Sequence, residues 1–162
     1  MKLLSFLLRG LTVALLVVLA LPGCNESQKP NPLKRGGGDS KGSLYKRLGE
    51  EKAITKVVDD FIAIVAKDDR IRDVHKKHFL GDTTALKKKL IDQVGAATGG
   101  PQTYEGKNMK DAHKGMGITT ADFDALLDDL RRALDQNKVA PADRDELLGM
   151  LQKMRDDVVE VK

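Results

Sequence analysis

Apolar residues recur at intervals of three and four in four stretches of the chain, and nowhere alternate with polar ones over a strand length. That period predicts helices throughout. Ile54, Val57, Val58, Phe61, Ile62 and Val65 make one stripe, on a helix from about 51 to 67. Leu86, Leu90, Val94 and Ala97 make a second, from about 83 to 98, with Asp82 or Thr83 placed to cap it. Phe123, Leu126, Leu127, Leu130 and Leu134 make a third, started by Thr119-x-x-Asp122 at the spacing of a capping box. Leu147, Leu148, Leu151, Met154 and Val158 make the fourth, with Pro141 in its first turn. A short helix around Ser43–Leu48 precedes them. The many Asp pairs are expected on polar helix faces.

The chain ahead of these stripes has a different character. Lys2 and Arg9 give a basic start, an apolar run follows from Leu11 to Leu21, and Leu21-Pro22-Gly23-Cys24 closes it. The run has the length of a signal h-region and is short for a bilayer span. A small residue before a cysteine resembles the bacterial lipobox, which makes residues 1–23 a lipoprotein signal peptide and Cys24 the lipidated first mature residue. The competing reading is an ordinary signal peptide with a chance cysteine. Lipid on Cys24 would tether the protein to a membrane in the cell envelope without threading it through. Asn25 stands where an aspartate would hint at inner-membrane retention, so the periplasmic side of the outer membrane is the expected location. Residues 24–42, with Pro30, Pro32 and Gly36-Gly37-Gly38 among charges, read as a disordered linker. The folded part is then 43–162, one domain of ordinary size.

Cys24 is the only cysteine. No intrachain disulfide can form, and a Cys-x-x-Cys-His haem attachment is excluded. The formal charge of +4 falls to about +2 once Lys2 and Arg9 leave. With no basic patch interleaved with aromatics, and with Lys76-Lys77 and Lys87-Lys88-Lys89 most simply on solvated faces, a nucleic-acid partner is not expected. Catalytic triads, zinc-ligand clusters and phosphate-binding loops are not found either.

One segment carries chemistry. Asn108 to Phe123 sets His113 on a short helical turn among Met109, Met116, Ile118 and Phe123. One imidazole in an apolar wall is what an iron porphyrin needs from its protein, although a core or surface histidine would read the same way. The glycines and proline of Gly99-Gly100-Pro101-Gln102-Thr103-Tyr104-Glu105-Gly106 end the second long helix. His113 therefore comes from a loose connection rather than from a bundle helix. That suits a metal ligand delivered to a pocket between helices.

These pieces together resemble a group I truncated haemoglobin. The resemblance runs through Leu44-Tyr45-x-x-Leu48-Gly49, Val57-Val58-Asp59-Asp60-Phe61, Gly99-Gly100-Pro101-x-x-Tyr104-x-Gly106, Met109-x-x-Ala112-His113-Lys114-x-x-x-Ile118-Thr119 and Asp122-Phe123. It implies an all-α truncated globin, a two-over-two helical sandwich around non-covalent haem b. His113 takes the place of the proximal iron ligand. Met109, Met116, Ile118 and Phe123 fall on the proximal haem face, Phe61 and Ile62 on the distal side, and Leu86 and Leu90 on the distal helix.

The departures lie on the distal side. Ile62 stands where group I members usually carry a tyrosine, and Leu90 where many carry a glutamine. The family puts a Phe-Phe pair at the corner after the first long helix, but counting from Phe61 lands on Val74-His75. Phe79 is then expected to supply the haem-stacking ring, in a corner a few residues longer. His75 and His78 are read either as solvent-exposed loop histidines or as a possible distal ligand, one of them becoming the sixth ligand of a bis-histidyl iron. Lys89 is a further candidate distal group, and Lys107, Lys110 and Lys114 could meet the propionates.

The expected function is an exported, membrane-anchored haem protein that binds a diatomic gas (O₂, NO or CO). The alternatives are electron transfer with a redox partner, NO or peroxide conversion assisted by a second histidine, or a helical lipoprotein that has lost haem.

Overall fold

The computed structural model describes residues 42–161. The signal segment, Cys24 and the linker lie outside the described residues. The helices are α1 (Leu44–Arg47), α2 (Glu50–Val65), α3 (Asp73–Lys76), α4 (Thr84–Ala97), α5 (Met109–His113), α6 (Thr120–Gln136), α7 (Pro141–Gln152) and α8 (Arg155–Val158). A 3₁₀ turn, Lys77–Phe79, continues α3. The described residues contain no strand, only an isolated bridge between Thr119 and Val161. Helices α2, α4 and α6 stand where the apolar period put them.

Helix α2 packs on both α4 and α6, and α7 packs on α6. The molecule is thus two helix pairs, α2 with α4 and α6 with α7, joined through α2: a two-over-two sandwich. The stripe of α2 is its common core, with Ile54, Val57, Val58, Phe61, Ile62 and Val65 all buried.

Local chemistry fixes where the helices begin. Thr119 Oγ1 accepts from Asp122 N at 3.1 Å and Asp122 Oδ2 accepts from Thr119 N at 2.9 Å, the reciprocal box that starts α6. Asp82, not Thr83, supplies the side-chain bond at the start of α4, its Oδ1 accepting from Thr84 N at 3.0 Å. After α4 the chain folds back over α1. Gln102 Nε2 and Glu51 N both donate to the Tyr45 hydroxyl, at 3.1 and 3.0 Å. A Cβ on Gly100 would sit 2.5 Å from the Tyr45 ring, so only glycine lets the backbone pass there.

Three expectations are corrected. The fourth stripe is not one helix: it breaks at Lys153 and Met154 into α7 and α8. The break sends Leu147 and Leu148 into the main core and Val158 into a separate cluster with Ile118 and Phe123. The Asp128-Asp129 pair is not wholly on a polar face, because Asp129 is fully buried where Arg70 and Arg132 reach it. Nor is His75 an exposed loop residue: it is buried, whereas His78 is exposed.

Candidate functional site

His113 ends α5, the single helical turn between the glycine-rich return and α6. Asn108 caps that turn, its side chain accepting from Asp111 N at 2.9 Å. The His113 ring is half-buried, and its Nδ1 lies 2.7 Å from the carbonyl oxygen of Met109. A carbonyl only accepts, so Nδ1 carries the proton and Nε2 presents a lone pair. This is the arrangement in which a metal-ligating histidine is held by a second partner that fixes its tautomer and ring orientation.

The surroundings of His113 limit what it could ligate. Among the described residues no group of three His, Cys, Asp or Glu side chains could hold a bare metal ion. A lone nitrogen donor suits an iron whose remaining nitrogen ligands a porphyrin would supply. The donor set therefore fits haem and does not fit a zinc- or calcium-type site.

The residues named from sequence fall into two apolar groups. Met109, Met116, Ile118 and Phe123 pack together with Val158 and Val159, beside the His113 turn. Phe61, Ile62, Phe79, Leu86 and Leu90 belong to the main core. Phe79 meets Phe61 edge to face, centroids 6.0 Å apart and planes at 89°. The longer corner does bring Phe79 inward. Leu127 borders both groups, and Gln93 Nε2 on α4 donates to Met109 Sδ on α5 at 3.2 Å. Gln93 was not singled out in the sequence, since a glutamine on a helix gives no signal until its partner is known.

The corner before Phe79 is tied to the start of α6. Arg72 donates from Nε and Nη2 to the Asp122 carboxylate, the shortest contact being 2.7 Å, and from Nη2 to the carbonyl of Gly117 at 2.5 Å. The same Nη2 lies 2.7 Å from His75 Nε2. Arginine has only donors, so Nε2 accepts and Nδ1 holds the proton, buried without a partner. Burial lowers the His75 pKa, against the pull of Asp122. The structure thus occupies the nitrogen that a sixth ligand would need. His78, in the 3₁₀ turn, and Lys89, on α4, are both exposed.

A second buried polar group lies where the loop after α2 meets α6. Asp129 is 0 % exposed; Arg70 Nη2 and Arg132 Nη1 donate to its Oδ1, and its Oδ2 has no partner. Burial and the neighbouring Asp68 push its pKa up to about 6.

Residues 43–160 match the family model described as bacterial-like globin. The group 1 truncated haemoglobin of Tetrahymena pyriformis is 32 % identical over 72 % of this chain and 94 % of its own length. That of Mycolicibacterium paratuberculosis is 32 % identical over 72 % of this chain and 83 % of its own. The crystal structure of the Tetrahymena pyriformis protein in its Fe(III) form superposes with a TM-score of 0.67 at 30 % identity, covering 73 % of this chain and 98 % of that one.

The chain belongs to the group 1 truncated haemoglobin family.

As a truncated haemoglobin it carries non-covalent haem b and binds gas through it.

Proposed function

We propose that this truncated haemoglobin is exported, anchored to a membrane by lipid on Cys24, and binds a diatomic gas at iron ligated by His113 Nε2. The observation that carries the reading is the 2.7 Å contact of His113 Nδ1 with the Met109 carbonyl, which leaves the other nitrogen free to ligate. Met109, Met116, Ile118 and Phe123 would line the proximal face. Phe61, Ile62, Phe79, Leu86 and Leu90 would line the distal face and exclude water.

Bound haem supplies the open iron position at which the gas binds. The chain's own part is orientation on one side and shielding on the other. Ile62 and Leu90 offer no hydrogen to a bound gas molecule. Dioxygen, which draws negative charge onto its far atom, loses about 1–3 kcal/mol of stabilisation relative to a site with polar distal groups. NO and CO depend less on such bonds, so the pocket favours them over O₂. His75 Nε2 is held by Arg72, so His75 would not be free to serve as a second histidine ligand to bound haem.

The test is the rates of O₂, CO and NO binding and release by the reduced protein, measured by flash photolysis and stopped flow. Fast O₂ release beside slow CO and NO release is expected. An O₂ complex that outlasts the CO complex would contradict the reading. Lipid attachment is tested separately, by incorporation of labelled palmitate in cells: label on the wild type and none on Cys24→Ser is expected, and equal labelling, or none on either, refutes the anchor.

A further inference from the structure

The two carboxylate oxygens of Glu160 each take one backbone amide from the loop that follows His113. Oε1 accepts from Gly115 N at 2.7 Å and Oε2 from Gly117 N at 2.6 Å. Both glycines are left-handed, with φ of 79° and 64°. Nothing lies within 4 Å of where a Cβ would stand on either, so it is the left-handed backbone and not a close approach that calls for glycine there. Glycines lose more conformational freedom on ordering than other residues, so backbone hydrogen bonds weigh heavily in fixing this loop.

The backbone next to Glu160 adds to the grip. Glu160 N and Val161 N donate to the Ile118 carbonyl at 2.9 and 3.1 Å, and Thr120 N donates to the Val161 carbonyl at 3.2 Å. From the other side Arg72 holds the Gly117 carbonyl. The strap is itself anchored: Arg155 on α8 lies 4.8 Å over the Phe123 ring and pairs with Asp124, while Val158 packs against Ile118 and Phe123.

We propose that Glu160 is a positioning residue for the iron ligand: by clamping the amides of Gly115 and Gly117 it fixes the loop that leaves His113, and so the height and rotation of the imidazole. This rests on the haem reading above. Glu160 itself is exposed, so its bonds add little to global stability. The role is local.

The test uses the full chain with Glu160→Gln and Glu160→Ala. A carboxamide keeps one acceptor and turns a donor towards the other amide, so the glutamine variant is expected to fall between wild type and alanine. In the ferrous, haem-loaded protein, Glu160→Ala is expected to shift and broaden the iron–histidine stretching band in the resonance Raman spectrum. It should also speed haem loss to excess apomyoglobin by about tenfold, the lower end of what loss of an outer partner costs a metal site. Without haem, hydrogen exchange at the Gly115 and Gly117 amides should quicken in the variant while the melting temperature stays near that of wild type. An unmoved band, or haem loss within about twofold of wild type, overturns the inference alone. A wild-type chain that takes up no haem overturns the haem reading and the inference with it.

Discussion

Arg72 and Asp122 join two parts of the chain that sequence keeps fifty residues apart. The guanidinium lies along the carboxylate in front of α3, and the same carboxylate closes the capping box of α6. The pair thus binds the corner that carries His75 and Phe79 to the loop that leaves His113. Burial disfavours the charge on Asp122, but the bonds from Arg72 and Thr119 outweigh it and hold the carboxyl well below the usual range.

Asp122→Asn is accordingly expected to cost about 2 kcal/mol at pH 7, less than a fully buried pair would because Arg72 is half exposed. A folded-state pKa below the unfolded value gives stability that is present above the unfolded pKa and lost as pH falls. The variant should therefore lose less stability than wild type on acidification below pH 4 or so. Urea unfolding at several pH values measures both effects.

Asp129 has the opposite sign. Its pKa is raised to about 6, so the folded state binds a proton more tightly than the unfolded chain, and stability falls as pH rises from about 4 through 6. Its neighbour Asp68 is held low, first by its bonds with Arg70. Asp129→Asn removes the buried charge and leaves an amide that can donate to Asp68. It should stabilise the protein by about 1–2 kcal/mol at pH 7 and flatten the stability profile between pH 4 and 6. A loss of stability at pH 7 would contradict the assignment.

Ile62→Tyr with Leu90→Gln would place polar groups on the wall proposed to face the bound gas. A gain of about 1–3 kcal/mol for bound dioxygen slows its release by roughly 5- to 150-fold, with CO release changed far less. Stopped-flow release rates separate the two gases. Equal slowing of both would point to altered access rather than to hydrogen bonding.

His75→Ala should leave the ferrous absorption spectrum of the haem-loaded protein five-coordinate, as in wild type, because Arg72 already occupies its Nε2. The same variant should lower the melting temperature by a few degrees, through the cavity left in the corner. A six-coordinate wild-type spectrum that becomes five-coordinate in the variant would make His75 a ligand after all.

Much of this was legible from the chain. The apolar period placed α2, α4 and α6, and Thr119-x-x-Asp122 announces its own box at the start of α6. His113 stood out only through the pattern around it, the glycine-proline return before it and the capped helix after it, since a core or surface histidine in an apolar ring reads the same way. The failures share one cause, long-range pairing. Nothing near His75 says that Arg72 will bury it against Asp122, and nothing near Asp129 says that Arg70 will reach it across the fold. Glu160 carries no signal of its own in the sequence, because its partners, the Gly115 and Gly117 amides, lie more than forty residues away. The break between α7 and α8 was invisible for a related reason: the apolar spacing continues through it, while the partners change from the main core to the His113 cluster.

The central claim is that His113 Nε2 ligates haem iron. An absorption spectrum of the purified wild type beside His113→Ala, each loaded with haem and reduced, tests it most directly. The wild type is expected to show a Soret band that His113→Ala loses and that added imidazole restores. A wild type that takes up no haem, or a His113→Ala variant whose Soret and ferrous bands match the wild type, would contradict it.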